Sequence, residues 1–115
     1  MSKNTITELF LIVDSRDWDK MISVFCPNIV YERPGYAPIV GIDQLLHFYQ
    51  HERVIASGKH DLEHIVIDRH RGSCWGRFLG VKKDGTDIDE LFADVYIFED
   101  EKIKERRSYF FRPAI

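Results

Sequence analysis

At 115 residues the chain has room for one domain, which we predict to span residues 1–115, and for one hydrophobic core. Its residues are 44% hydrophobic and 30% charged, and the net charge of −3 excludes the strongly basic face that nucleic-acid binding requires. The apolar run nearest the N-terminus, residues 9–13, is far shorter than the roughly 20 residues of a membrane span, so no membrane partner is expected.

The first half of the chain is predicted to contain three helices. Apolar side chains recur at helical spacing over residues 4–15 and again over residues 18–25, where Pro27 ends the pattern. A third helix is predicted from about residue 43 to 56, with Gly58 at its end. These three helices carry enough apolar surface to cover one face of a sheet.

The rest of the pattern predicts strands. One short strand is expected at residues 28–33, before the turn at Pro34-Gly35. Turn-forming residues such as Asp84-Gly85 then separate four more segments of strand length, at residues 60–68, 73–82, 87–98 and 102–111. Helices followed by a hairpin-linked meander predict an α+β fold, in which three N-terminal helices pack on a curved antiparallel sheet and enclose a pocket.

Three stretches, residues 13–18, 34–49 and 94–110, carry a family resemblance. Their order and spacing resemble the nuclear-transport-factor-2-like superfamily with its cone-like, cystatin-like fold. Within it, the chain is similar to the branch of SnoaL-like polyketide cyclases and ketosteroid isomerases. The resemblance implies a pocket for a small, largely apolar, oxygenated molecule. Since the superfamily mixes enzymes with proteins that only bind, function has to be argued from individual residues.

Of the three catalytic positions of a ketosteroid isomerase, one is kept. The position of the general base falls at Arg33, and a guanidinium cannot take up a proton at neutral pH. The position of the oxyanion-hole tyrosine falls near Leu9, which has no polar group. Asp94 matches the third position, the carboxyl group of the oxyanion hole. Isomerisation of the steroid type is therefore not expected.

Asp94 also stands out without the resemblance. It interrupts an aromatic, β-branched strand, and it shares one face with Phe92 and Tyr96. We predict Asp94 as the acid/base group or oxyanion donor, assisted by His64, whose strand face with Leu62 is expected to point inward. For Asp94 the alternatives are a buried side chain paired with an arginine and a solvated side chain on the outer face of the sheet. For His64 the alternative is an ordinary core or surface histidine.

Further side chains are predicted to line the pocket. An arginine there would suit a substrate with a carboxylate, enolate or keto oxygen, although each arginine could instead form an ordinary surface ion pair. The predicted substrate-binding residues are Tyr31, Arg33, Tyr49, Trp75, Arg77, Phe92, Tyr96, Arg106 and Phe110. No metal or cofactor is expected, because the pairs His47/His51 and His60/His64 lack a third ligand and no nucleotide-binding motif is present.

The predicted function is that of a pocket protein for a small molecule, and more specifically of a cofactor-free acid/base enzyme such as an isomerase, cyclase or dehydratase. A non-catalytic binding or dimeric interaction module is the alternative, and an epoxide hydrolase, which needs two carboxylates beside an arginine, is a third. A homodimer is expected through the uncovered sheet face, which carries Leu91 and Val95. Without a secretory signal, Cys26 and Cys74 predict a cytoplasmic protein with reduced thiols.

Overall fold

Two helices open the chain. The computed structural model describes residues 2–113. Helix α1 runs Ser2–Ser15, and a 3-10 helix follows at Trp18–Ser23. Ile6 and Leu9 of α1 are completely buried, on the face that the apolar spacing indicated. Both predicted helices are therefore confirmed, the second one in the tighter 3-10 form.

The third helix is shorter than predicted. Helix α2 runs Ile42–His47 and continues as one π-helical turn, Phe48–Glu52, closed by a 2.8 Å hydrogen bond from the Arg53 N–H to the Phe48 carbonyl. The residues that were predicted to end this helix belong to strand β3, Ile55–Asp68. Pairing with the next strand along this whole segment outweighs its weak helical pattern.

A mixed sheet of six strands carries the fold. The remaining strands are β1 (Phe25–Glu32), β2 (Ile39–Val40), β4 (Arg71–Lys82), β5 (Asp87–Glu99) and β6 (Lys102–Phe110). The strand order is β2-β1-β6-β5-β4-β3, and β3 to β6 form the predicted antiparallel meander. The α+β class and the four long strands are confirmed.

The prediction of a wholly antiparallel sheet is wrong at one pair of strands. Strand β1 lies parallel to β6, with Val30 opposite Glu105 and Tyr31 opposite Arg106. Side-chain alternation predicts that β1 exists but carries no information about the direction of its partner. Pro27 lies inside β1, where the register with β6 shifts, since proline has no N–H for a regular ladder.

A bulge in β3 decides which of its side chains face the helices. Leu62 pairs with Gly76 of β4, whereas His64 pairs with the adjacent Trp75, so Glu63 is an extra residue on β3. An extra residue reverses the alternation beyond it, and Leu62 and His64 therefore lie on opposite faces. Leu62 packs on the core and His64 is exposed.

The core lies between α1, α2 and the inward face of the sheet. Its completely buried side chains include Ile6, Met21, Ile29, Leu45 and Ile103. Burying such a side chain contributes about 1.5–3 kcal/mol, so these residues account for much of the driving force for folding. Among residues 2–113, every helix is too short or too polar to cross a bilayer.

Candidate functional site

Asp94 lies at the centre of the inward face of the sheet. On β5 it pairs with Ser108 of β6 and Cys74 of β4, and its side chain is completely buried. A buried carboxylate must be matched by donors, because an unpaired one would cost several kcal/mol. The residues around Asp94 supply these donors.

Four donor contacts surround the Asp94 carboxylate. The Ser108 hydroxyl donates to Oδ1 over 2.6 Å, and the Tyr96 hydroxyl donates to Oδ2 over 2.9 Å. Two nitrogens of Arg106, Nε at 3.0 Å and Nη2 at 2.9 Å, also contact Oδ2. Both oxygens are therefore occupied, and Asp94 is held as the anion of a buried ion pair.

Arg106 is held as firmly as Asp94. Its third nitrogen, Nη1, donates to the Tyr49 hydroxyl over 2.9 Å, and its guanidinium carbon lies 4.4 Å from the centre of the Tyr31 ring. Burial by itself would lower the pKa of Arg106, but the Asp94 carboxylate and the nearby tyrosine oxygens raise it well above the ordinary value. Arg106 is a fixed cation.

The hydroxyl protons of the three buried tyrosines can be assigned in turn. Tyr96 donates to Asp94, so the Cys74 thiol, 3.5 Å away, must donate to Tyr96. Ser108 donates to Asp94, so the Tyr31 hydroxyl, 2.9 Å away, must donate to Ser108. Only Tyr49 accepts a hydrogen bond while its own proton has no acceptor within residues 2–113. Tyr49 is thus the donor of this network that remains available to a ligand.

The Cys74 thiol and the phenols of Tyr31 and Tyr96 stay protonated at neutral pH. Burial raises the pKa of Tyr31 to about 12, and burial together with the Asp94 carboxylate raises that of Cys74 to about 11. The same two causes raise the pKa of Tyr96 well above its ordinary value. These groups act as fixed donors, and Cys74 is not a nucleophile.

A second pair of polar residues lies where the end of α1 meets β3. Asp14 of α1 accepts from the backbone N–H of His60 at 2.8 Å, and its other oxygen lies 2.6 Å from Nδ1 of the same imidazole. An ionised carboxylate there requires the proton on Nδ1, which leaves the lone pair of Nε2 free. Nε2 has no partner within the described part of the chain, and the His60 side chain is only 11% exposed.

Three phenyl groups surround His60. Ring centres of Phe10, Phe78 and Phe92 lie 4.6, 4.4 and 5.4 Å from the centre of the imidazole. Burial lowers the pKa of His60 below 6.5, although the Asp14 carboxylate acts in the opposite direction. His60 is thus a neutral, oriented imidazole at pH 7, which is the form that can accept a proton.

Phe10 and Arg53 connect the two groups of polar residues. The Phe10 ring centre lies 5.3 Å from the guanidinium carbon of Arg106, and Phe10 also contacts His60. Arg53 lies over Tyr49 and Phe78, with its guanidinium carbon 5.5 and 5.8 Å from their ring centres. Within residues 2–113 that guanidinium has no carboxylate partner, and burial lowers its pKa. Tyr49, Arg53 and His60 thus belong to one apolar, positively charged region.

Three predicted site residues lie on the opposite face of the sheet, and their inward placement is therefore wrong. His64 is exposed and stacks with Trp75 at 4.9 Å, as the β3 bulge requires. Trp75 is itself 38% exposed, and Arg77 forms an exposed ion pair with Asp89. On β4 the inward positions alternate with these, at Cys74, Gly76 and Phe78.

The other predicted residues lie on or near the inward face. Tyr31, Tyr49, Phe92, Tyr96 and Arg106 are buried there with Asp94. Phe110 pairs with Phe92 near the end of β6 and is 40% exposed. Arg33 follows β1 and is half-buried against Tyr36 and Phe48.

Sequence reasoning missed the pairing of Asp14 with His60. In the sequence Asp14 simply follows the apolar run of residues 9–13, and the pattern indicates His60 only as a possible metal ligand together with His64. The alternation Gly58, His60, Leu62 places His60 on the core face, which was the available signal. Among the described residues no cluster of three or more metal-ligating side chains is present.

The Asp94 side chain is completely buried among its hydrogen-bond partners, and a pocket beside it stays a prediction. Two surface concavities lie elsewhere, one beside Asp43 and His47 and the other beside Ile67 and Phe98.

Comparisons with known proteins agree with this fold. Residues 6–106 match the family model of the SnoaL-like domain. None of the curated proteins matches the chain.

Solved structures share the fold at low sequence identity. A nuclear-transport-factor-2-like protein of unknown function from Burkholderia pseudomallei has a TM-score of 0.87 at 17% identity, with 96% of this chain and 90% of that chain covered. A protein assigned as a SnoaL-like polyketide cyclase from a Jannaschia species has a TM-score of 0.84 at 14% identity, with coverages of 95% and 84%. An epoxide hydrolase from Mycobacterium tuberculosis also has 0.84 at 14%, with coverages of 96% and 82%.

Proposed function

This chain belongs to the SnoaL-like domain family, and on that premise we propose that it is an enzyme that moves a proton on a small, largely apolar, oxygenated substrate. The observation that carries the proposal is the Asp14–His60 pair. A carboxylate holds Nδ1 at 2.6 Å, burial keeps the imidazole neutral, and three phenyl rings surround it. This arrangement gives a general base that works at neutral pH.

In the proposed reaction two side chains act on the substrate, the His60 imidazole and the Tyr49 hydroxyl. Nε2 of His60 takes a proton from the carbon next to a substrate carbonyl, whose oxygen then carries the negative charge of an enolate. The Tyr49 hydroxyl, polarised by Arg106 at 2.9 Å, donates a hydrogen bond to that oxygen. Arg53, without a carboxylate partner within residues 2–113, adds positive charge nearby. Where a C=C double bond adjoins the carbon that loses the proton, the negative charge extends to the far end of that bond. Return of the proton from His60 to that far carbon shifts the double bond and completes an isomerisation.

In this proposal Asp94 is a positioning residue. Its completely buried carboxylate already accepts from Ser108, Tyr96 and Arg106, and its role in the proposal is to hold these side chains in place. It fixes Arg106, and Arg106 in turn fixes and polarises Tyr49. The charge of Asp94 therefore acts on the substrate through two other side chains.

The two alternative functions differ in what they require. Epoxide hydrolysis needs two carboxylates beside one arginine, and within residues 2–113 Arg106 contacts a single one, Asp94. A non-catalytic binding module is favoured by the tight packing around Asp94, which resembles an ordinary satisfied core network. Under that alternative His60 would contribute to ligand affinity and would not be needed for turnover.

We also propose that the protein forms a homodimer through the outer face of the sheet. Leu79, Leu91, Val95 and Tyr109 are 51%, 46%, 41% and 48% exposed on neighbouring strands of this face. Exposed apolar side chains grouped in this way are typical of a protein interface, and a two-fold dimer would cover them on both subunits.

The test compares two histidines of one strand. The probe is 2-tetralone, an apolar ketone with an acidic C–H, and hydrogen–deuterium exchange at that carbon is followed by NMR in D2O. His60→Gln should slow the enzyme-catalysed exchange by about 100-fold or more, whereas His64→Gln on the outer face should leave it unchanged. Equal exchange rates for His60→Gln and the wild type would rule out the proposed base. Saturable binding of the ketone without exchange above that of free imidazole would favour the binding module.

A further inference from the structure

Arg33 is an arginine without a counter-ion, placed at the end of β1. Its guanidinium forms no hydrogen bond and no ion pair within residues 2–113, and Nε is the one side-chain nitrogen or oxygen there that is fully buried without a partner. Arg106, by comparison, uses all three of its nitrogens. A buried N–H on a charged group is costly to leave unpaired, so an acceptor from outside the described chain is needed.

Two aromatic rings enclose the Arg33 guanidinium. Its central carbon lies 4.3 Å from the centre of the Tyr36 ring and 4.1 Å from that of the Phe48 ring. Guanidinium stacks well on aromatic faces, but stacking does not satisfy its N–H groups, which radiate in the plane. A polar ligand can therefore approach only along the edge.

The local sequence builds this clamp. Pro34-Gly35 forms a tight turn, with Gly35 at φ +84° and a 3.3 Å hydrogen bond from the Tyr36 N–H to the Arg33 carbonyl. A positive φ at the third residue of the turn, directly after proline, is the pattern of a type II turn, which folds Tyr36 back over Arg33. Phe48 begins the π-helical turn, an element that is frequent at functional sites.

The clamp adjoins the proposed site. The Phe48 ring that stacks on Arg33 lies 5.0 Å from the ring of Tyr49. A molecule held at Arg33 could thus extend past one side chain towards the Tyr49 hydroxyl and the phenyl rings around His60. Aromatic rings line the clamp, and a ligand bound there has to balance the single positive charge of Arg33.

We infer that Arg33, clamped between Tyr36 and Phe48, binds a carboxylate, and that the substrate of this protein is a carboxylate joined to a flat apolar body. The edge formed by Nε and one Nη matches the two oxygens of a carboxylate, with which a guanidinium forms paired hydrogen bonds. A single negative charge balances Arg33, whereas a phosphate dianion would leave an excess in a half-buried clamp. The substrate assignment rests on the proposed function, but the carboxylate site itself does not.

The test measures binding and needs no turnover. Benzoate, its neutral analogue benzamide and inorganic phosphate are titrated into the full chain while the Nε–Hε signal of Arg33 is followed by 15N NMR. Benzoate should shift this signal with saturation and the other two should not. Arg33→Met, which keeps an apolar stem between the rings, should weaken benzoate binding about 10-fold or more, and Arg33→Lys should also weaken it because the planar fork is lost. Arg77→Met, on the outer face, is the matched control and should bind as the wild type does.

The outcomes separate the carboxylate site from the catalytic proposal. Benzoate binding that is equal in Arg33→Met and wild type, or an Arg33 signal that responds alike to benzoate and benzamide, would overturn the site. If the Arg33 signal responds more strongly to phosphate than to benzoate, the inference that the ligand is a carboxylate is wrong. If Arg33→Met does not fold, the titration of the wild type and the Arg33→Lys variant still test the carboxylate site. Benzoate binding that persists in His60→Gln, together with unchanged ketone exchange in that variant, would retain the site and remove only the proposed base.

Discussion

Replacing Asp94 by asparagine should destabilise the protein far more than a surface substitution of the same kind. The carboxylate accepts hydrogen bonds from Ser108, Tyr96 and Nε of Arg106 over 2.6 to 3.0 Å, and Nη2 of Arg106 lies 2.9 Å from Oδ2. An asparagine offers one oxygen to these donors and brings an N–H₂ group against one of them. Arg106 would then keep a buried positive charge without an anion, and breaking such a pair typically costs about 3–5 kcal/mol. At this chain length that corresponds to a melting temperature lower by roughly 12 to 20 °C.

The assay is urea unfolding of four variants, Asp94→Asn, Arg106→Gln, the double variant and Asp89→Asn, with the free energy of unfolding as the measured quantity. Asp89→Asn, in the exposed pair with Arg77, is the matched control and should leave the midpoint unchanged within error. Asp94→Asn combined with Arg106→Gln should recover part of the loss, since it removes the unpaired charge as well. A loss for Asp94→Asn no larger than for Asp89→Asn would refute the buried ion pair, and so would a double variant whose loss is the sum of the two single ones.

Three further results are expected. Because burial lowers the pKa of His60 below its unfolded value of 6.5, the unfolded chain binds more protons just below that pH. The free energy of unfolding should therefore rise with pH through this window, and His60→Gln should flatten the rise in urea titrations; an identical slope in both proteins would contradict the assignment. Tyr49→Phe should slow the exchange of 2-tetralone roughly 100-fold, whereas Tyr109→Phe on the outer face should not, and equal rates would exclude the Tyr49 donor. Val95→Arg should convert the dimer to a monomer in analytical ultracentrifugation and Leu11→Arg, exposed on α1, should not; a monomeric wild type would refute the dimer.

The elements that the sequence predicts well are those set by neighbouring residues. Helix α1 and the strands of the meander have strong periodicity and are bounded by turn residues such as Asp84-Gly85. The end of α2 and the parallel pairing of β1 with β6 depend on partners far along the chain. Helical spacing over residues 43–56 could not reveal that its last part pairs with β4, because a strand and a short helix share the same apolar residues.

At the candidate site, the unusual acidic residue Asp94 in an aromatic strand was informative, whereas the bulge at Glu63 led to a wrong prediction. Asp94 could be singled out because an acid is unusual in an aromatic strand, and Tyr96 followed from alternation on the same face. His64 was misplaced because Glu63 is an extra residue that reverses the alternation, and nothing in the residue types at this point announces a bulge. Asp14 could not be paired with His60 from sequence, since the two are separated by 46 positions and meet only when α1 packs on β3.

The two inward aspartates, Asp14 and Asp94, have opposite effects on the proposed site. Asp14 leaves a proton acceptor free on a neighbouring side chain, and Asp94 leaves a proton donor free. Asp14 requires the His60 proton on Nδ1, which leaves a lone pair on Nε2. Asp94 fixes Arg106, whose remaining N–H occupies a lone pair of the Tyr49 oxygen and leaves the hydroxyl proton of Tyr49 without an acceptor within residues 2–113. One carboxylate therefore exposes a proton acceptor and the other exposes a proton donor. The proposed reaction needs both, one to take a proton from carbon and the other to stabilise the oxygen that becomes charged, so in that proposal neither aspartate has to contact the substrate itself.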